Sequence, residues 1–240
     1  MRSAPQVMPL KHRRGFTAIE LLVVLALVAI FLALALPSFN GTIQRYRVST
    51  AASEIANVLE FARAEAISTR ANVGVGQILQ PNANANANAN ANVNIQQALA
   101  GCTYNANIVT DWTCGVSVYI DTDNSGTQNN TETTLKFIPA TDLRAVNVQI
   151  ASVGGAANGA VQTDITYNPL GFSVVCNNGQ CNGSNFYSII LVWPVSQPFR
   201  LPGANPYTYT YAICVGIGGE VKIMPDYFAP PSPNNQQTCP

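Results

Sequence analysis

The chain has 240 residues, with 12 basic and 12 acidic side chains and one histidine, so its formal net charge is zero. It is 48% hydrophobic and only 10% charged, which suits one folded domain with an extension. The charge layout argues against a broad nucleic-acid footprint: Arg2, Lys11, Arg13 and Arg14 all precede Phe16, and the remainder holds eight basic residues against twelve acids.

The first element is the apolar stretch after that basic cluster. No residue from Leu21 to Leu36 is polar. With Phe16–Glu20 the stretch reaches about the 20 residues a membrane-spanning helix needs. Leu and Ala dominate it, and both favour helix. The preceding basic residues place the N-terminus in the cytoplasm, so the rest of the chain is exported. A cleaved secretory signal would have a shorter apolar core and small residues after it, and Ala35-Leu36-Pro37 fits that site poorly. A plain signal anchor explains the length and the basic flank but not Glu20. A carboxylate in a spanning helix costs about 2.5–3.5 kcal/mol near the centre and is usually functional. Near the helix N-terminus the dipole lowers that cost.

Helical spacing continues past Pro37. Val48, Ala51, Ala52, Ile55, Val58, Leu59, Ala62 and Ala66 form one apolar stripe, with Arg45, Arg47, Glu54, Glu60, Arg63 and Glu65 mostly off it. The pattern predicts one helix over Phe16–Arg70, its second half packed on a sheet and its charges on a solvated face. From Asn72 short strands follow: Val73–Leu79, Val116–Ile120, Thr134–Ile138, Val146–Ile150, Ile165–Tyr167, Phe172–Val175, Tyr187–Val192, Tyr207–Val215 and Glu220–Met224. A helix followed by many strands reads as α+β. The Asn-Ala tract at 82–92 has no hydrophobic pattern and is expected to be a loop, and residues 227–240 a Pro- and Asn-rich tail.

All six cysteines, Cys102, Cys114, Cys176, Cys181, Cys214 and Cys239, follow the apolar stretch. An even count in a loop-rich exported region points to disulfides. Zinc is the alternative, but it favours close C-x-x-C pairs and histidine, and His12 precedes the apolar stretch. Six cysteines allow about 15 connectivities, of which the local one is expected: 102 with 114, 176 with 181, 214 with 239. The segment Asp121 to Glu132 nearly has calcium-loop spacing, with Asp121, Asp123, Ser125, Gly126 and Glu132 at positions one, three, five, six and twelve. Its flanks read as strands, so a polar hairpin turn is the alternative to calcium, the only cofactor considered. No histidine lies in the exported part, so Ser-His and Cys-His nucleophile pairs are absent and no enzymatic activity is expected.

The stretch "RRGFTAIELL" resembles the class III signal of type IV prepilins and type II secretion pseudopilins. The resemblance implies cleavage after Gly15 by prepilin peptidase, methylation of Phe16 and retention of the apolar helix. It further implies that Glu20 pairs with the N-terminal amine of a neighbouring subunit, and that Pro37 is the family's helix-kinking proline. "RVSTAASEIANVLEFARAEAISTRANV", "WTCGVSVYIDTDNSGTQNNTETTLKF", "ITYNPLGFSV" and "YAICVGIGGEVKI" resemble, in order, segments of the GspH/FimT group of pseudopilins and minor pilins. The implied architecture is a type IV pilin-like fold, a long N-terminal helix packed on an antiparallel sheet. Residues 1–15 would be the leader, 16–39 the membrane half of the helix, 40–71 its periplasmic half and 72–226 the head. The implied function is a structural minor pilin or pseudopilin of a type IV pilus or type II secretion system, single-pass in the inner membrane and placed near the filament tip. Implied partners are other pilin subunits, prepilin peptidase and the inner-membrane assembly platform. Two other readings stay open. One is a DNA-uptake minor pilin, for which the stretch Gly218–Lys222 offers one lysine beside Glu220. The other is a membrane-anchored periplasmic binding protein.

Overall fold

The structure is a computed structural model that describes residues 16–78, 112–129, 131–143, 145–153, 164–177, 180–183, 188–195 and 210–225; inside these elements the side chains at 33–39, 151–153, 177 and 182–183 are not described. The predicted leader, the Asn-Ala tract, the tail, Cys102 and Cys239 lie outside the described residues. The chain divides into two units, Met1–Thr42 and Ile43–Pro240.

Helix α1 runs Ala18–Thr69, within two residues of the predicted span at each end. In the first unit its side chains from Leu21 to Leu32 are all apolar and all exposed, with Leu21 at 59% and Phe31 at 70%. A helix apolar all round belongs in a protein core or a membrane. Among the described residues no helix is long and apolar enough to cross a membrane; side chains 33–39, part of the predicted span, are not among them.

In the second unit the eight predicted stripe residues, from Val48 to Ala66, are all buried. The helix ends with Arg70 in the left-handed region, at φ 56°. The Ser68 and Thr69 hydroxyls both donate to the Glu65 carbonyl in its last turn.

Among the described residues ten strands follow, all paired antiparallel: β1 Val73–Gln77, β2 Gly115–Ile120, β3 Thr134–Pro139, β4 Val146–Val153, β5 Ile165–Tyr167, β6 Ser173–Asn177, β7 Gln180–Gly183, β8 Ser188–Pro194, β9 Tyr211–Val215 and β10 Val221–Met224. A short helix, α2, spans Ala140–Leu143. The head has two sheets where one was expected, in the orders β3-β2-β1-β5-β6-β7 and β10-β9-β8-β4. The helix stripe shares one core with Val75, Val118 and Ile165 of the first sheet and with Val148, Ile190 and Ile213 of the second. Both sheets therefore need the same helix face to bury their apolar sides. The start of β2 is tied to β4, where the Trp112 N–H donates to the Val148 carbonyl at 2.9 Å.

The first sheet also buries its other face. Tyr119 stands opposite Gly74 across the β1–β2 pair. A Cβ at Gly74 would run into the Tyr119 ring, and one at Gly76 into the Asp164 carboxyl. The two glycines therefore admit Tyr119, whose hydroxyl donates to Asp164 Oδ2 at 2.7 Å. Both residues are buried. Tyr119→Phe takes a donor from a buried carboxylate, and the expected loss is about 1–3 kcal/mol of head stability. The urea midpoint at neutral pH measures it, and an unshifted midpoint would show the bond to be energetically idle.

Candidate functional site

Three places gather the chemistry-bearing residues. The first is the start of α1. Phe16 and Thr17 precede the helix, and Gly15 lies outside the described residues. The Thr17 carbonyl accepts from the Leu21 N–H at 3.2 Å, and its hydroxyl accepts from the Glu20 N–H at 3.3 Å. Thr17 is thus the N-cap, and Glu20 sits three residues on, the spacing of a capping box. This places the carboxylate in the first turn, where the helix dipole favours negative charge. The sequence reading missed the cap, although Thr17-Ala-Ile-Glu20 carries its spacing. Pro37 lies inside α1, which is assigned without a break across it.

The second place is the β2–β3 connection. It brings Asp121, Asp123 and Glu132 together, with a carboxylate oxygen of each within 4.8 Å of the others. These are the residues of the loop that could hold a divalent cation. Backbone donors already meet them. Asp121 accepts from the Ser125 and Gly126 N–H groups at 3.1 and 3.0 Å. Glu132 accepts from the Thr122 and Asn129 N–H groups at 3.0 and 2.9 Å. Asp123 accepts from the Ser125 N–H at 2.9 Å and from the Asn129 amide at 2.9 Å. Ser125, counted as a ligand in the sequence, instead turns its hydroxyl to the Thr127 carbonyl at 2.9 Å. The strand flanks and these turn bonds match the hairpin alternative.

Burial is the main cause that pushes the Asp121 and Glu132 carboxyls up, against the pull of their N–H donors. Hydrogen bonds from Ser125 hold the exposed Asp123 below its ordinary value. Glu54, on α1, is raised by burial and by Asp142. For a raised carboxyl the folded state keeps protons that the unfolded chain has released, so its contribution falls as pH rises through that window. Asp123 acts in the opposite sense, and only below the ordinary carboxylate range. The head should therefore gain stability as the pH is lowered from 7 to about 5, just above the carboxylate range. Urea midpoints at the two values test this, and Glu132→Gln should flatten the difference. A midpoint that falls on acidification contradicts it.

Against this loop lies the Cys176–Cys181 disulfide, formed as the local pairing predicts. It closes the β6–β7 hairpin, whose second strand has no counterpart among the predicted ones. Cys114 and Cys214 are disulfide-bonded as well, and the partners predicted for them, Cys102 and Cys239, lie outside the described residues.

The third place corrects an expectation. Arg63, read as part of a solvated face, is half-buried and donates from Nε to the Gly171 carbonyl at 3.1 Å and from Nη2 to the Gly218 carbonyl at 2.9 Å. Gly171 is in the β5–β6 turn of the first sheet and Gly218 in the β9–β10 turn of the second. One guanidinium thus joins the helix to a turn of each sheet. Glu220 at the end of the second turn and Lys222 in β10 are both exposed.

Comparison with known proteins follows these places along the chain. The prokaryotic N-terminal methylation motif matches residues 10–36, across the Thr17 cap and Glu20. The type II transport protein GspH model matches residues 51–191, from the buried helix stripe to β8. No curated protein matches the sequence significantly. Two crystal structures of the type IV minor pilin FimU of Pseudomonas aeruginosa, in space groups P65 and P21, are similar at a TM-score of 0.41 each. They are 14% and 15% identical, cover 77% and 78% of this chain, and are themselves covered over 98% and 96% of their length. At that score the fold rests on this chain's own helix and strand pairing. The GspH match spans more than half of the 240 residues and adjoins the methylation motif, so the chain belongs to the type II transport protein GspH family, as a minor pilin or pseudopilin.

Proposed function

We propose that this chain is an inner-membrane pilin-type subunit that is cut after Gly15, methylated at Phe16 and drawn into a filament, where it acts in assembly or initiation. The observation that carries the reading is the joint occurrence of the methylation motif over residues 10–36 and the GspH match that begins at residue 51. The apolar helix is retained as the anchor and the assembly stem. From Leu21 to Leu32 its side chains are apolar on all sides, so neighbouring helices can pack against any face of that stretch. Glu20 is its one carboxylate, and pairing with another subunit's N-terminal amine would offset the cost of burying it. The head stands in the periplasm, where its disulfides form, and presents its surface to partner subunits. Prepilin peptidase and the inner-membrane platform are the further partners.

The test is N-terminal peptide mass spectrometry on the full chain coexpressed with a prepilin peptidase. The expected product begins at methylated Phe16. An uncut chain, or a cut near Ala35, would remove the assembly reading and leave a signal sequence or plain anchor.

A further inference from the structure

The acidic loop and the cysteine hairpin meet at Asp121. The ligand atoms of Asp121, Cys176 and Cys181 all lie within 4.8 Å of one another. Gly126 makes the approach close: its φ is 72°, and a Cβ there would lie 2.7 Å from the Cys176 Cβ. Cys181 Sγ is 3.9 Å from both the backbone and the side-chain oxygen of Asn124, so it faces the same loop. Asp121 is 3% exposed and therefore holds its carboxylate against the sulfurs and out of water.

Two thiolates and a carboxylate suit a borderline-soft cation better than calcium, which takes oxygen ligands. Zinc binds sulfur at about 2.3 Å and carboxylate oxygen at about 2.0–2.2 Å, so three ligands of one tetrahedral ion stand about 3.5–3.8 Å apart. The two sulfurs are now bonded to each other, and opening the disulfide lets them part to that spacing with the Asp121 carboxylate already within 4.8 Å of both. The neighbouring Asp123 and Glu132 carboxylates add negative potential for a dication. We propose that Cys176 and Cys181, when reduced, form with Asp121 a site for a thiophilic divalent cation such as zinc, with water as fourth ligand. Disulfide and metal are then mutually exclusive states of this corner of the head. Opening the disulfide takes two electrons and two protons and gives two thiols. With a phosphine reductant the phosphorus supplies the electrons and leaves as phosphine oxide, its oxygen taken from water. Metal binding then releases the two thiol protons to solvent.

The experiment uses the full chain in detergent, reduced anaerobically with a phosphine, and cobalt(II) alone as the probe. The reduced chain should show thiolate-to-cobalt absorption that stoichiometric zinc removes, and the oxidised chain should show none. The other four cysteines remain in a Cys176→Ser/Cys181→Ser chain, so loss of at least about tenfold in cobalt affinity there isolates the pair. Asp121→Asn should weaken binding by a similar factor, since a ligand counts for no less than its supports. Equal absorption in the double-serine chain, or none in the reduced wild type, overturns the site. Unchanged affinity in Asp121→Asn overturns the carboxylate's part. Should the double-serine chain fail to fold by circular dichroism, the wild type decides. Zinc should slow closure of Cys176–Cys181 by oxidised glutathione, which is reduced to two thiols as the bridge forms, about tenfold by peptide mass spectrometry, and equal rates with and without zinc overturn the proposal.

Discussion

A Glu20→Leu chain is expected to insert, to be cut after Gly15 and then to stay out of the filament. Glu20 sits in the first helical turn, its own N–H capped by Thr17. There the dipole offsets part of what a carboxylate costs in a bilayer, which is about 2.5–3.5 kcal/mol at the centre. In the proposed assembly the lone subunit bears the rest of that cost, and a partner amine would relieve it. Leucine abolishes the difference between the two states. If the whole of it drives assembly, incorporation falls on the order of a hundredfold. Glu20→Gln keeps shape and hydrogen bonding but not charge, so it separates pairing from packing: the pairing account requires Gln to fail nearly as badly as Leu, and Glu20→Asp to do better than either. Co-sedimentation with sheared filaments reads incorporation, and mass spectrometry of the mature N-terminus confirms that processing is intact. A Leu chain that assembles at the wild-type level would show that helix packing alone drives the step.

The parts of this molecule that follow from local pattern were legible in the sequence. The stripe from Val48 to Ala66 is buried because a 3.6-residue period leaves those positions one face to hide. Nine predicted strands lie close to observed ones because period-two alternation and Gly or Pro punctuation are local. What was missed depends on contacts distant in sequence or on chemistry that looks like a turn. The strand β7 is "QCNG", which has the composition of a loop and becomes a strand because the Cys176–Cys181 bridge holds it against β6. The split into two sheets depends on which strands pair, and alternation does not encode that. Gly74 and Gly76 gave a signal, since glycines two apart in a strand mark something close above them. That the neighbours are Tyr119 and Asp164 required the register. The strands on either side of the acidic loop were legible from their alternation, while the burial of Asp121 against a disulfide was beyond spacing alone.

Arg63 is the residue whose role changed most, and its replacement should have the largest effect on the head. Its guanidinium reaches carbonyls 108 and 155 residues away in sequence, one in each sheet's turn. The turns also touch directly, since the Ser173 N–H donates to the Ile217 carbonyl at 3.3 Å and a Cβ at Gly219 would strike the Gly171 carbonyl. Hydrogen bonds to a charged group are worth about 1.5–3 kcal/mol each, and partial exposure lowers the sum for two, so Arg63→Met should cost about 2–4 kcal/mol. In a head of this size that is a drop of about 5–15 °C in Tm. Methionine retains the apolar stem, so the loss reports the fork and not the packing. Arg63→Lys should recover only part, because a single ammonium lacks the planar spread of donors that reaches both carbonyls. Gly219→Ala reaches the same junction from the other side: its φ of 78° strains any side chain, and the added carbon displaces the Gly171 carbonyl from Arg63. Arg63→Met and Gly219→Ala should therefore be less than additive when combined, since each breaks the same junction. Full additivity, or a lysine chain as stable as the wild type, would mean that the two sheets are held on the helix by the apolar core alone.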